Sequence, residues 1–289
     1  MWRVLGTIKI ATGASITYNI YGEDKPTLPT ILCVNGLFLN MDQYSDIAPH
    51  IAKKLGRPVR IITYNGQGIG DSTIFDHPIT VDDQVREIIG VMDGLEVPQA
   101  HVVAMSSGTY PALLALKNHN KRFTSFCGYG TFSPFSTRLA DTLHYFESLD
   151  FAFYDVQHML RERITRINFE DFFDLFCTYI ERKLPHKALF QTLENLHVAS
   201  VKIILEIIKQ YKIIPSMLEI LQHANIPTIF LYGEKDEITS AEMGWELNEN
   251  VPGSTLVTIP KETHLSPTLN SSSAKRIFDY FVEMLDRWI

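Results

Sequence analysis

The stretch His101-Val102-Val103-Ala104-Met105-Ser106-Ser107-Gly108-Thr109-Tyr110-Pro111-Ala112-Leu113-Leu114-Ala115-Leu116 decides the fold. His101 to Met105 is a short apolar run of the kind that forms a strand covered on both faces. Ser107 to Leu116 has the composition of a helix. A strand that turns at once into a helix around Ala-x-Ser-x-Gly is the setting of a nucleophile elbow. The turn is sharp, so the residues two before and two after the serine must be small. Ala104 and Gly108 meet that demand around Ser106, whereas Ser107 would be flanked by Met105 and Thr109. Ser106 is therefore the candidate nucleophile. By itself the motif is weak: its first position is Ala104 where glycine is usual, and the plainer alternative is a serine that caps the following helix.

Working outward, strands and helices alternate. Arg3 to Ile10 and Ser15 to Tyr21 read as a hairpin about Ala11-Thr12-Gly13-Ala14. Thr30 to Val34 and Val59 to Tyr64 read as strands, with a helix over Met41 to Leu55 between them. Thr80 to Leu95 is an amphipathic helix, with Val85, Ile88, Ile89 and Met92 at helical spacing. Thr80 is its cap, Asp82 and Asp83 supply early acids, and Gln84 stands near a capping-box position. Phe123 to Tyr129, Thr228 to Tyr232 and Thr255 to Ile259 complete eight strand candidates, and Ala274 to Trp288 is a final amphipathic helix. Such alternation implies βαβ crossovers and a mostly parallel eight-stranded sheet flanked by helices.

Residues 133–223 break the alternation. They are rich in aromatics (Tyr145, Phe146, Phe151, Phe172, Phe173 and Phe176 among them) and hold no convincing strand. The expected organisation is an α/β core over 1–132 and 224–289 with a helical cap or lid inserted over 133–223. That cap either packs on its own aromatics or lines an apolar pocket.

A serine hydroxyl needs a base to take its proton and an acid to orient that base. In strand–elbow–helix proteins the chain order is serine, acid, histidine. Leu231-Tyr232-Gly233-Glu234-Lys235-Asp236 follows one late strand, and Thr258-Ile259-Pro260-Lys261-Glu262-Thr263-His264 follows the next. Asp236 and His264 are the expected partners of Ser106. Glu234 and Glu237 compete with Asp236, and the Gly-x-x-Asp spacing favours the aspartate. The oxyanion hole is expected to use the backbone N–H groups of Ser107 and Leu37, the latter in the loop after Thr30 to Val34. Asn35, Gly36, Phe38 and Met105 are expected to line the substrate pocket. Gly66-Gln67-Gly68-Ile69-Gly70 lacks both the GxGxxG spacing and a P-loop lysine, and reads as a structural turn.

Composition narrows the function classes. The 289 residues carry a net charge of -7, which disfavours a nucleic-acid partner. Hydrophobic residues make up 45%, enough for a sizeable core. Cys33, Cys127 and Cys177 are odd in number and widely spaced, so a reduced, cytoplasmic setting is expected rather than a disulfide framework. No signal peptide and no 18-residue apolar span are seen. No metal-ligand spacing is present, and no cofactor is expected. The partner expected is a small-molecule acyl ester or thioester, free or carrier-linked, and a homodimer is left open.

The residues Val34-Asn35-Gly36, Asn65 to Ser72, Ala104 to Gly108, Gly233 to Asp236 and His264 together resemble the α/β-hydrolase fold superfamily over nearly the whole chain. Within it, Ile79-Thr80-Val81-Asp82-Asp83-Gln84-Val85 and Asp236-Glu237 followed by Thr239-Ser240-Ala241-Glu242 are similar to the hydroxyacyl acyltransferases that make the lipid precursor of rhamnolipids. The first resemblance implies acyl-serine chemistry through Ser106, Asp236 and His264. The second implies an acceptor that is a 3-hydroxyacid instead of water. The chain departs from the superfamily pattern at Ala104, at Asn35 where histidine is common, at Asn65 where aspartate is common, and at Thr263 where glycine is common. Ser106 at the elbow disfavours dehalogenase or epoxide hydrolase chemistry, which needs a carboxylate there. A ligand-binding member without catalysis is the remaining alternative.

Overall fold

The computed structural model describes residues 3–36, 39–73, 79–133, 220, 222, 225–236 and 238–287. Eight strands form one sheet: β1 (Arg3–Lys9), β2 (Ser15–Gly22), β3 (Thr30–Val34), β4 (Arg60–Tyr64), β5 (Ala100–Met105), β6 (Phe123–Tyr129), β7 (Thr228–Gly233) and β8 (Thr255–Ile259). Their order is β1-β2-β4-β3-β5-β6-β7-β8. β1 and β2 pair antiparallel, as does β2 with β4. Every pairing from β4 through β8 is parallel. The hairpin sits at one edge because a short turn can reverse the chain only between antiparallel strands.

Helices cover both faces, which is why β3 to β7 are apolar along almost their whole length. On one face lie α2 (Val81–Gly94), α3 (Thr109–Asn118) and α4 (Ala241–Asn250), where Ile88, Val91, Leu113, Leu116 and Leu247 meet Leu32, Val102 and Phe230 in one core cluster. On the other lie α1 (Ile47–Leu55) and α6 (Ser271–Leu285), which pack Ile47, Ile51, Phe278 and Phe281 against Ile31, Val103 and Leu231. Each buried phenylalanine stabilises by about 2 kcal/mol relative to exposure. A single-turn helix, α5 (Ser266–Leu269), leads into α6.

Three local expectations need correction. The helix expected over Met41 to Leu55 is broken: a 3₁₀ turn spans Met41–Tyr44 and α1 begins at Ile47. The Asn40 side chain accepts the Asp42 N–H, and the Tyr44 hydroxyl donates to the Val34 carbonyl at 2.8 Å, so the first turn is pinned to β3. The capping box of α2 closes on Asp83, not Gln84. Thr80 Oγ1 accepts from Asp83 N at 3.1 Å, and Thr80 N donates to Asp83 Oδ2 at 2.8 Å. Finally, α3 is preceded by a 3₁₀ turn over Ser106–Gly108 and begins at Thr109.

The cap expected over 133–223 lies outside the described residues, apart from Ser133, Ile220 and Gln222. Among the described residues no helix is long and apolar enough to cross a membrane. Cys33 and Cys127 are buried free thiols, and Cys177 lies outside the described residues.

One buried polar pair makes stability depend on pH. His101 on β5 is 7% exposed and its Nδ1 lies 2.8 Å from Ser125 Oγ on β6. Burial, with Arg57 adding a repulsion, pushes the imidazole down to about 4. The unfolded chain therefore binds this proton near pH 6.5 while the folded one does not, so stability is present above pH 6.5 and is lost as pH falls towards 4. The full shift is worth up to about 3 kcal/mol. Urea midpoints measured at pH 7 and pH 4 are expected to differ less in His101→Gln than in the parent protein.

Candidate active site

β5 delivers Ser106 at the C-terminal edge of the sheet, between β3 and β6. Its φ is +49°, a left-handed conformation that costs a non-glycine residue about 1–3 kcal/mol and persists only where the surroundings enforce it. Close packing enforces it here. A Cβ built at Gly108 would lie 2.1 Å from the Asn35 carbonyl oxygen, so only glycine lets α3 start this near the loop after β3. Ala104 is fully buried between Val34 and Gly128 on the neighbouring strands. A methyl group fits there, so alanine can replace the usual glycine.

Two loops complete the cluster. The turn after β7 carries Asp236, and the loop after β8 carries His264. His264 Nε2 is 2.8 Å from Ser106 Oγ, and His264 Nδ1 is 2.8 Å from Asp236 Oδ2. Asp236 is buried, and its carboxylate is satisfied by neutral donors. Oδ1 accepts the N–H groups of Ile238 at 2.9 Å and Thr239 at 2.7 Å, while Oδ2 accepts the Thr239 hydroxyl at 2.8 Å. An ionised carboxylate can only accept, so the proton of the neutral imidazole belongs on Nδ1. Nε2 is then left to accept from the Ser106 hydroxyl.

The competing acids are used otherwise or fall elsewhere. Glu234 Oε2 accepts the Lys261 N–H at 2.9 Å and so ties the two loops together. Glu237 lies outside the described residues. The histidine loop is further held by the Tyr129 hydroxyl, which donates to the Thr263 carbonyl at 2.6 Å, and by Arg276 against the buried Glu262.

Of the residues expected to line a substrate pocket, Met105 does something else, while Asn35 lines the cavity beside the elbow with its amide already engaged. Met105 is 2% exposed and packs in the core cluster of the α1/α6 face, because alternate residues of a strand point to opposite faces. Asn35 spends its amide inside the protein: Nδ2 donates to the Tyr64 carbonyl at 2.6 Å, and Oδ1 accepts from Gln43 at 2.5 Å. It locks the loop after β3 to β4. Gly36 does lie beside Ser106; a Cβ there would be 3.5 Å from Ser106 Cβ. Ser107 is buried at the start of the elbow turn. Leu37 and Phe38 lie outside the described residues.

Two contributors carry weak sequence signals. Thr239 is legible only as a hydroxyl three residues after the acid, the spacing at which an aspartate binds backbone N–H groups. Gly130 follows β6 with φ +64°. A Cβ there would lie 2.8 Å from Thr239 Oγ1 and 2.9 Å from His264 Cε1. Gly130→Ala is therefore expected to push the imidazole off line and lower kcat by about 10²-fold, the scale of a 1 Å misplacement. KM and the far-UV spectrum are expected to change little, and steady-state kinetics on an activated ester measures the split.

Beside the elbow lies a cavity of about 60 Å³, walled by Gly36 and Ser107 on one side and by Gly66, Gln67, Gln84 and Glu87 on another. Glu87 is 5% exposed, and its Oε2 accepts the Gln67 N–H at 2.7 Å. Burial pushes its carboxyl up to about 7 against hydrogen bonding from Gln67 that favours the ionised form.

A serine on a strained strand-to-helix turn after β5, with an acid on the turn after β7 and a histidine on the loop after β8, defines a class. The family model of the alpha/beta hydrolase fold matches residues 29–270, and the chain belongs to that family. It is similar to the uncharacterized hydrolase YugF of Bacillus subtilis (strain 168), 22% identical over 277 residues, which are 88% of this chain and 89% of that protein. Among solved structures, a hydrolase from Pseudomonas aeruginosa PA01 superposes with a TM-score of 0.73 at 17% identity, covering 97% of this chain and 98% of the other. A carboxylesterase structure from Nitrososphaera gargenis gives 0.74 at 13% identity, over 98% and 100%. A thermophilic esterase from Thermogutta terrifontis gives 0.69 at 18% identity, over 99% and 100%. At these identities the structural likenesses bear on the fold alone.

Proposed function

We propose that the protein is a serine-dependent acyl hydrolase acting on carboxylic esters or thioesters through an acyl-Ser106 intermediate. The observation that carries this reading is the chain of two 2.8 Å contacts from Ser106 Oγ through His264 to Asp236. Ser106 Oγ attacks the substrate carbonyl carbon while His264 Nε2 takes its proton. The tetrahedral oxyanion is stabilised by the N–H of Ser107 and by a donor from the loop after β3, assigned to Leu37; each such donor is worth about 3 kcal/mol in the transition state. The C–O or C–S bond then breaks and His264 returns the proton to the leaving alcohol or thiol. Water, deprotonated by His264, attacks the acyl-serine, releases the acid and restores Ser106. Asp236 holds the imidazole in the required tautomer throughout and stabilises it when charged.

Membership of the alpha/beta hydrolase family supports hydrolysis as the overall reaction. The segment 133–223 leaves the sheet from the C-terminal end of β6, the edge that carries Ser106, and we read it as the cap over the site. Its aromatic content suits an apolar acyl chain.

A panel of p-nitrophenyl esters and acyl thioesters, run with and without a 3-hydroxyacid, tests the reading. Acid release without dependence on the 3-hydroxyacid is the expected result. Formation of an acyl-hydroxyacid product in preference to free acid would replace hydrolysis by acyl transfer. Absence of labelling by a fluorophosphonate probe, under conditions that label known serine esterases, would sink the catalytic reading altogether.

A further inference from the structure

The cavity beside the elbow has a composition that the hydrolytic chemistry does not explain. Its apolar wall is Val34, Leu39, Ile69, Ile79, Ile88 and Pro111. On α2 the apolar lining is interrupted by two polar side chains in its first two turns, Gln84 and Glu87. They stand three residues apart, so they share one face of the helix. Among the described residues, Gln84 Oε1 is buried without a hydrogen-bond partner. Glu87 is a buried carboxyl with no Lys, Arg or His in salt-bridge contact among the described residues. It accepts the backbone N–H of the neutral Gln67 at 2.7 Å, while the side-chain nitrogen of Gln67, which also lines the cavity, has no hydrogen-bond partner among the described residues. A buried acceptor and a buried carboxyl of this kind are both costly unless something supplies donors and positive charge.

We propose that this cavity is a subsite for a primary ammonium group carried by the substrate, with Glu87 and Gln84 Oε1 accepting its N–H bonds. This rests on the hydrolase reading above and adds a substrate class to it: esters with an aminoalkyl arm. The cavity size suits the assignment. At roughly 10–15 Å³ per water-sized occupant, about 60 Å³ holds about four to six small groups, room for a short alkylammonium. The stem would run along Ile79, Ile88 and Pro111. The position suits it too. Gly36 and Ser107 wall both the cavity and the elbow, and a Cβ at Gly36 would lie within 3.5 Å of Ser106 Cβ and 3.3 Å of the Met105 carbonyl. Charge complementarity decides for an ammonium over a hydroxyl, since only the cation offsets the buried carboxylate as well as supplying donors.

Binding of such a cation is coupled to ionisation of Glu87. The groups facing it are Asp83 on its own helix, which opposes ionisation, and Tyr64 on β4, which burial keeps neutral. With a carboxyl near 7, the ionised fraction rises about tenfold between pH 6 and pH 8, and affinity rises with it.

The test measures binding first, without catalysis. Butylammonium chloride, fully protonated throughout, is titrated against the whole protein by calorimetry in buffers matched with sodium chloride. The expected result is saturable binding about tenfold tighter at pH 8 than at pH 6, absent in Glu87→Gln and several-fold weaker in Gln84→Leu. Glu87→Gln keeps an acceptor for the Gln67 N–H, and Gln84→Leu removes an unpartnered carbonyl oxygen, so both variants are expected to fold. Equal heats with butanol or with sodium alone, or a response that survives Glu87→Gln, would overturn the assignment. The second arm compares 5-aminopentyl acetate with hexyl acetate. At pH 8 the amine is expected to show a kcat/KM at least about tenfold higher, and Glu87→Gln is expected to remove that preference. Butylammonium binding in a protein that cleaves no ester would refute the hydrolase reading and leave the cation subsite standing. Ester cleavage without amine preference or butylammonium binding would do the reverse.

Discussion

Ser106→Ala is expected to lower kcat/KM for p-nitrophenyl ester hydrolysis by about 10⁴- to 10⁶-fold and to abolish fluorophosphonate labelling. The magnitude follows from losing the nucleophile: what remains is binding and oxyanion stabilisation, worth about 10³–10⁴ over water in comparable enzymes. Stability is expected to hold or rise. The parent serine sits at φ +49°, and alanine carries the same strain without a hydroxyl that His264 must satisfy. A folded, unlabelled, inactive variant is thus the signature. Labelling that persists in Ser106→Ala would move the nucleophile elsewhere, with Ser107 the first residue to examine.

Asp236→Asn is expected to cost about 10⁴-fold in kcat, with KM little changed. The substitution is nearly isosteric, but it replaces an acceptor by an amide. Oδ1 can still accept the Ile238 and Thr239 N–H groups, the two backbone donors at 2.9 and 2.7 Å. The position facing His264 Nδ1 then becomes a donor, so the imidazole must carry its proton on Nε2 and can no longer accept from Ser106. Glu234→Gln is the contrast. Its carboxylate tethers the Lys261 N–H, an acceptor role that the amide oxygen keeps, so activity is expected to stay within about threefold, as for other surface substitutions away from the chemistry. A result in which Glu234→Gln is the more damaging of the two would reverse the assignment of the acid.

The sequence made the strands legible because those of the parallel core are short apolar runs bounded by turns. The elements it left unread or misplaced have identifiable causes. α4 carries few buried residues, Met243, Gly244 and Leu247, and exposes Trp245, so its periodicity is faint. The break between Met41–Tyr44 and α1 depends on where the Tyr44 hydroxyl finds Val34, a contact between separate elements. Asn35 reads as a loop residue poised for substrate, yet its amide is claimed by Tyr64 and Gln43. Met105 adjoins Ser106 in the chain but packs into the core of the α1/α6 face.

Chain order and local sterics were enough to select Ser106, Asp236 and His264 as candidates. A sharp turn demands small neighbours, and the loops after successive parallel strands necessarily gather at one edge of the sheet. Those are local and topological facts, and a linear sequence carries them. Only the tertiary structure decided how the three side chains meet, since 2.8 Å contacts across 158 and 28 residues of separation depend on the packing of every strand between them. It alone disclosed Gly130 as the space His264 occupies. It alone brought Gln84 and Glu87 of α2 against the loop of Gly36, because burial and the absence of a partner belong to neighbours in space and not to neighbours in the chain.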